Sequence, residues 1–194
     1  MSLKIVQAGD PVLRKTGRML TKEEIGSRPI QHLIEQMRET MREAPGVGLA
    51  APQIGESIQL AVIEDRADYI NEIPAEKLAE LQRSAVPFHV IINPKLSFLD
   101  NSRAQFFEGC LSVDGYQAVV ERALNVRVEC LNERGEEVTI SANGWYARIL
   151  QHEIDHLNGT LYIDRMKTRT LTTTENAFRY GMNRNIQELL AELE

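Results

Sequence analysis

The stretch Gln151-His152-Glu153-Ile154-Asp155-His156 holds the chemistry on which the interpretation of this chain depends. On a helix, two histidines four residues apart lie on one face, so both imidazoles can bind the same metal ion. Glu153 lies about 100° round the helix from His152, where it can hold a proton without acting as a ligand. This H-E-x-x-H arrangement is typical of metal-dependent hydrolases, in which the metal acidifies water and the glutamate carries protons. The stretch therefore predicts a hydrolytic metal site on a helix.

The residues around this stretch predict that the helix is buried. Asn143-Gly144 can start the helix, and Asn158-Gly159 can end it. A glutamate and two histidines on a buried helix are costly unless they have a function. The apolar residues that favour burial are Ala147, Ile149, Leu150, Ile154 and Leu157.

A hydrolytic site of this kind takes three protein ligands, so one more residue is required. No histidine follows His156, which excludes the H-x-x-G-x-x-H extension. Cys110, in Phe107-Glu108-Gly109-Cys110-Leu111-Ser112-Val113, is the favoured third ligand, because a thiolate binds borderline-soft divalent ions strongly. Glu175, nineteen residues after His156, remains the alternative and would indicate an endopeptidase. A metal-stabilised binding module, which would have no use for Glu153, is a further alternative.

Three motifs resemble the signatures of the peptide deformylase family, in the family's order. They are Gly46-Val47-Gly48-Leu49-Ala50-Ala51-Pro52-Gln53-Ile54-Gly55, then Glu108-Gly109-Cys110-Leu111-Ser112, then the H-E-x-x-H stretch. The resemblance spans most of the chain and is closest to the branch found in organelles and some bacteria. It implies a hydrolase that removes the formyl group from formyl-methionyl nascent polypeptides and releases formate.

The resemblance also implies the roles of the site residues. Cys110, His152 and His156 would hold one divalent ion, usually Fe²⁺ in the cell, with Zn²⁺, Ni²⁺ or Co²⁺ possible in purified protein. Glu153 would carry the proton, while the Gln53 amide and the Leu111 N–H would stabilise the oxyanion. The remaining implied residues bind substrate: Gly48 and Gly109 through their backbones, and Val47, Glu108, Trp145, Arg148 and Ile149 around the methionine pocket. Arg148 stands where an apolar residue is expected, which predicts that its side chain lies at the rim.

The first motif also fits a loose dinucleotide-binding pattern, Gly46-x-Gly48-x-x-Ala51. That function requires a strand before the glycines and a helix that opens at them. The sequence instead predicts a helix at 29–42, which Pro45 ends, and Pro52 interrupts any helix through the motif. The pattern therefore does not indicate a nucleotide site.

The order of elements predicts an α+β fold, with mixed or antiparallel sheets around the central metal-binding helix. The acidic insertion at 65–87 is predicted to be mostly helical, and Asn132-Glu133-Arg134-Gly135 to be the turn of a hairpin. Strands are predicted at 59–64, 90–93, 95–99, 104–107, 117–121, 125–131 and 136–141.

Two regions are predicted along the chain: a single catalytic domain at 1–167, and a polar linker with a C-terminal amphipathic helix at 168–194. The linker runs over 168–174. The tail is expected to dock on the body of its own chain, with a partner surface or dimer contact as the alternative. Its apolar residues at helical spacing are Phe178, Met182, Ile186, Leu189, Leu190 and Leu193.

Composition agrees with an enzyme of one domain. The 194 residues are 43% hydrophobic and carry a net charge of −6 without a basic block, so direct DNA binding is not expected. No apolar run reaches transmembrane length, and two cysteines suit a reducing compartment. We expect a bacterial cytoplasmic location rather than an organellar matrix, a monomer or weak dimer, and transient association with the ribosome.

Overall fold

Two antiparallel sheets surround one buried helix in the computed structural model, which describes residues 2–182 and 184–193. The larger sheet has the order β1-β2-β3-β6-β7 and the smaller the order β4-β5-β8, all neighbours being antiparallel. The predicted α+β class is therefore confirmed. The strands are β1 Gly48–Ala50, β2 Leu60–Asp65, β3 Val86–Phe98, β4 Arg103–Cys110, β5 Val113–Ala123, β6 Asn125–Leu131, β7 Glu137–Asn143 and β8 Thr172–Thr173.

Seven α-helical segments lie in the described part of the chain. The longest two are α2, which precedes the first glycine motif, and α5, which carries both histidines. The helices are α1 Lys22–Ile25, α2 Arg28–Glu43, α3 Ala67–Ile70, α4 Ala75–Leu81, α5 Gly144–Leu157, α6 Thr174–Asn176 and α7 Ile186–Leu193. Short 3₁₀ turns span Pro11–Arg14, Ala51–Ile54, Tyr162–Asp164 and Thr168–Thr170, and a π-helix spans Ala177–Gly181.

The larger sheet is covered on both faces, which explains the apolar character of β2. Ala61 and Ile63 pack in the core that includes α5, whereas Leu60 and Val62 pack in the core that includes α2. Because successive strand residues point to opposite faces, a strand segment between two cores is apolar at consecutive positions, as at 60–63 of β2. α5 is consequently enclosed between the two sheets, where its functional side chains are shielded from solvent.

The start of α5 depends on Gly144. This residue has φ +56°, and a Cβ on it would lie 2.4 Å from Gln82 Cβ and 2.8 Å from Leu81 O. The preceding Asn143 makes no side-chain cap and instead donates to Gln82 Oε1 at 3.0 Å. The predicted start is confirmed, but a close approach of the insertion, rather than a side-chain cap, requires the glycine.

Two predicted strands, at 90–93 and 95–99, are one strand in the structure. β3 runs continuously through Pro94, and its register with β6 shifts between Ile92 and Lys95. Asn93 takes φ +52° there, and its side chain pairs with both backbone groups of Leu20 at 2.8–2.9 Å. A β-bulge admits the proline without ending the strand, so the predicted division was wrong.

The tail attaches to the smaller sheet. Within the predicted linker at 168–174, β8 pairs with Tyr116 and Gln117, and the buried Thr170 hydroxyl accepts from the Val119 N–H at 2.9 Å. The helical spacing predicted for 178–193 is divided between the π-helix and α7; residue 183 lies outside the described residues. The boundary between residues 167 and 168 stays a prediction.

Candidate active site and metal centre

Three side chains that can bind a metal converge where β4 ends against α5. Cys110 is the last residue of β4, and His152 and His156 are one turn apart on α5. One ligand atom from each lies within 4.8 Å of the other two, and Cys110 Sγ is 3.2 Å from His156 Nε2. Among the described residues this is the one such group of three or more, and Glu175 does not belong to it.

The donor set fits a divalent transition metal. Two imidazoles and a thiol suit iron or zinc, and three ligands leave a coordination position for catalysis. Burial lowers the pKa of His156 well below its usual value, which keeps the ring in the neutral form that binds metal. Although burial opposes it, the contacts with Cys110 and Glu108 raise the pKa of His152. A bound cation would favour the neutral imidazole and the thiolate.

Glu153 lies beside these ligands as a carboxyl group without a partner. It is 3% exposed, and its Oε2 atom makes no hydrogen bond to any described residue. Burial raises its pKa to about 7, a value suited to a group that accepts and returns a proton near neutral pH. Gly48 packs directly on it, because a Cβ there would come within 2.2 Å of Glu153 Oε1.

Glu108 holds the first histidine. Its Oε2 atom is 3.1 Å from His152 Nδ1, and Arg122 contributes two further bonds of 2.9–3.0 Å. Although burial opposes it, the bond to His152 and the charge of Arg122 hold the pKa of Glu108 well below its usual range. Metal-bound histidines commonly bond a carboxylate through the second ring nitrogen, which fixes their orientation. The sequence placed Glu108 only in the methionine pocket, although its position two residues before Cys110 was a signal for this second role.

Arg148 lies in the interior and not at the rim, so that prediction was wrong. It is 3% exposed and forms an ion pair of 2.5 Å with Glu108. It also donates to the carbonyls of Val120 and Ala104 at 3.0 and 2.8 Å. Burial lowers its pKa despite Glu108. An arginine is stable there because a carboxylate and two carbonyls satisfy it.

The buried charges extend to residues that sequence reasoning missed. Arg122 bridges Glu108 and Asp155, and Asp155 also accepts two bonds of 2.6–2.7 Å from Arg165. The Tyr162 ring stacks at 6.4 Å from that of His152. The sequence offered one signal of this buried network: Asp155 is an acidic residue inside the H-E-x-x-H stretch, on a helix predicted to be buried.

Gln53 lies next to Cys110 and is 2% exposed. Its Oε1 atom accepts from the Ala50 N–H at 2.9 Å, which orients the amide. Its Nε2 atom then faces Ser112 Oγ at 3.3 Å and Cys110 Sγ at 3.5 Å. The amide therefore presents its donor toward the ligand cluster. Leu111 follows Cys110 at the turn into β5, and its carbonyl accepts from Gln7 Nε2 at 2.9 Å.

A single cleft of about 670 Å³ brings the predicted site residues together. Twelve of the thirteen line it, and His156, at 1% exposure, lies behind its wall. The predicted residues that line it are Val47, Gly48, Gln53, Glu108, Gly109, Cys110, Leu111, Trp145, Arg148, Ile149, His152 and Glu153. Further lining residues, which the sequence did not indicate, include Arg83, Tyr116, Phe178 and Met182.

The predicted insertion contributes Arg83 to this cleft. Arg83 makes two bonds of 2.8–2.9 Å to the buried carboxylate of Asp65. Its guanidinium lies 5.2 Å from the centre of the Trp145 ring. The insertion is therefore tied to the wall that Trp145 forms.

Comparison with known proteins agrees with this geometry. A family model described as polypeptide deformylase matches residues 2–171. The chain belongs to the polypeptide deformylase family. It is 54% identical over 172 residues to the chloroplastic peptide deformylase 1A of Solanum lycopersicum, covering 89% of this chain and 62% of that protein. The peptide deformylase 1 of Bifidobacterium longum is 49% identical over 178 residues, covering 92% of this chain and 79% of that protein.

A solved relative has the same fold. The Met-Ala-Ser-bound class I type b peptide deformylase of Acinetobacter baumannii aligns with TM-score 0.76 and 32% identity, covering 86% of this chain and 99% of that one. Proteins similar to this chain include plant forms named as chloroplastic or chloroplastic/mitochondrial and bacterial forms. The chain spans 62% and 64% of the lengths of two plant relatives. No helix among the described residues is both long enough and apolar enough to cross a bilayer.

Proposed function

We propose that this deformylase hydrolyses the formamide at the N-terminus of formyl-methionyl nascent polypeptides. One observation carries the proposal. The donor atoms of Cys110, His152 and His156 converge at the wall of a cleft, and Glu153, whose buried carboxyl has an unpaired oxygen, lines the same cleft. The products are formate and a peptide with a free amino terminus. Membership of the deformylase family supports this reaction over cleavage of internal peptide bonds.

Cys110, His152 and His156 hold a divalent ion in this proposal. The bound ion supplies Lewis acidity, which makes water a stronger nucleophile near neutral pH and polarises a carbonyl. Glu108 fixes the ring of His152 through Nδ1, so the ligand keeps its orientation during turnover. Fe²⁺ is the proposed ion in the cell; Zn²⁺, Ni²⁺ or Co²⁺ could occupy the same donors in purified protein.

Glu153 moves the proton. Its buried carboxylate accepts a proton from the attacking water and returns it to the amine nitrogen as the formyl C–N bond breaks. The Gln53 Nε2–H and the Leu111 N–H donate to the formyl oxygen as it gains negative charge. Gln53 is already oriented for this by its bond to Ala50.

The substrate lies along the cleft as an extended strand. The backbones of Gly48, on β1, and Gly109, on β4, pair with it, in the manner of a strand added to a sheet. Val47, Trp145 and Ile149 supply the apolar lining of the methionine pocket. Glu108 and Arg148, which neutralise each other, form its polar floor.

The proposed setting is the nascent chain. The protein would act as a monomer or weak dimer, with transient ribosome contact and without direct DNA binding or membrane insertion. A bacterial cytoplasm is the proposed compartment, and an organellar matrix is the alternative, since one relative is named as chloroplastic.

The function is tested by an anaerobic assay on formyl-Met-Ala-Ser, in which released formate measures hydrolysis. Metal content is measured on the same sample. Cys110→Ser separates the proposal from the endopeptidase alternative. We expect this variant to lose both metal and deformylation. Retention of metal together with cleavage of internal bonds would contradict the proposal.

A further inference from the structure

The cleft is larger than the catalytic residues require. Its volume of about 670 Å³ lies within the range of roughly 300–1,000 Å³ that holds drug-sized ligands, so it admits more than one amino-acid residue. Thr174, Phe178 and Met182 of the tail line it together with Glu153 and Cys110. The tail thus forms part of the wall of the substrate site.

The tail is held in this position on both sides of Phe178. β8 pairs with the start of β5, through Thr173 with Tyr116, and the Thr173 hydroxyl caps the next helical turn by accepting from Asn176 N at 3.3 Å. Ala177 is buried. Gly181 lies so close to β4 that a Cβ there would be 2.9 Å from the Phe107 ring. The segment between these anchors therefore crosses the cleft at a defined place.

The segment itself is a π-helix, Ala177–Gly181. The Met182 N–H donates to Ala177 O at 2.8 Å, five residues back. π-helical turns are rare in proteins, and many of those that occur lie at functional sites. This one holds Phe178 at the cleft while Ala177 stays buried.

Large apolar side chains remain exposed along this wall. Phe178 is 62% exposed and Tyr116 is 48% exposed, and both line the same cleft as Met182. Single exposed apolar residues are ordinary, but a group of them continuous with a binding groove marks a surface that contacts a ligand. The ligand that enters this cleft is the peptide, so its residues after methionine are the occupants.

We propose that Phe178 and Met182, together with Tyr116, contact the side chains that follow the formyl-methionine and select for apolar residues there. This inference rests on the proposed function and adds the source of peptide preference. Burial of a leucine side chain against these residues would favour binding of apolar sequences. Peptides without side chains at these positions would lose that contact and keep the backbone bonds.

The test compares two substrates of equal length, formyl-Met-Leu-Leu and formyl-Met-Gly-Gly, on the metal-loaded protein. We expect the wild type to prefer the leucine peptide about tenfold in kcat/KM. Phe178→Ala should reduce that preference to about twofold, and Phe178→Leu should restore most of it. Tyr180→Ala is the matched control, since Tyr180 lies in the same π-helix, is 57% exposed and does not line the cleft. It should keep the wild-type preference.

Calorimetry of the binding of the products, Met-Leu-Leu and Met-Gly-Gly, provides a second measurement of the preference that does not depend on turnover. The melting temperature of each variant shows whether it is folded. The role of the tail would be overturned if the preference for the leucine peptide were unchanged both in Phe178→Ala and in the variant that combines Phe178→Ala with Met182→Ala. Hydrolysis of neither substrate by the wild type would instead contradict the proposed function. The two failures are therefore distinguishable.

Discussion

The two walls of the cleft are held in different ways. On the metal wall, Glu108, Arg122, Arg148 and Asp155 are buried and linked to one another, so each of these four charges has a partner. On the tail wall, Phe178 is mostly exposed and depends on a few anchors before and after it. Chemistry requires fixed atoms, whereas contact with varied peptide sequences requires only an apolar surface. The contrast indicates that catalysis and peptide preference can be altered separately.

The largest expected difference between the walls is in stability. Arg148→Met should lower the free energy of unfolding by about 3 kcal/mol, because it leaves a buried carboxylate with fewer partners and removes the bonds to two carbonyls. Tyr180→Ala, on the tail, should change it by less than about 0.5 kcal/mol. Urea unfolding of both variants in the same buffer measures this. Equal stabilities would mean that the buried charges do not hold the metal wall.

The next effect concerns the rate on the metal wall. Gln53→Leu should lower kcat by about 10²–10³, the effect of removing one oxyanion donor. Gln53→Glu is the companion variant; it keeps an acceptor for the Ala50 N–H, removes the amide donor and adds a carboxylate charge, so its rate should fall at least as far. Steady-state deformylation should fall in both variants while metal content stays constant. A normal rate in Gln53→Glu would show that the amide donor does not act on the formyl oxygen.

A smaller effect tests how closely β1 approaches α5. Gly48→Ala should lower kcat by about 10- to 100-fold, because the new methyl group displaces the Glu153 carboxylate. Gly26→Ala serves as the control; its Cβ would lie 3.7 Å from the nearest atom, an ordinary contact. Full activity in Gly48→Ala would mean that Glu153 tolerates displacement.

Much of this architecture follows from local sequence. The helix expected at 29–42 is Arg28–Glu43, and the strand expected at 125–131 has the bounds Asn125–Leu131. The spacing of apolar residues along the chain predicts such elements, because it indicates which residues share the buried face of a helix or strand. The two histidine ligands could also be predicted from the sequence, since their spacing on one helix is a local property. Cys110 lies on β4 and was favoured because the site requires a third ligand.

The errors have a common physical cause. Arg148 was expected at the rim because the sequence does not show that Glu108 and two carbonyls provide hydrogen-bond partners in the interior. β3 was divided because the bond of Asn93 to Leu20 spans distant parts of the chain. The position of Phe178 over the cleft depends on the pairing of β8 with β5, which no local pattern indicates. Long-range contacts decided each of these cases.

The Glu153→Gln variant tests whether this carboxyl group carries the proton. Glu153 lies beside the ligands without being one of the three, so the variant should bind metal as the wild type does. Its deformylation of formyl-Met-Ala-Ser should fall by about two or more orders of magnitude, since the amide cannot carry the proton. Metal content and formate release are measured on one anaerobic sample. Full metal with nearly normal turnover, or loss of the metal itself, would contradict the assignment of Glu153 as the proton carrier.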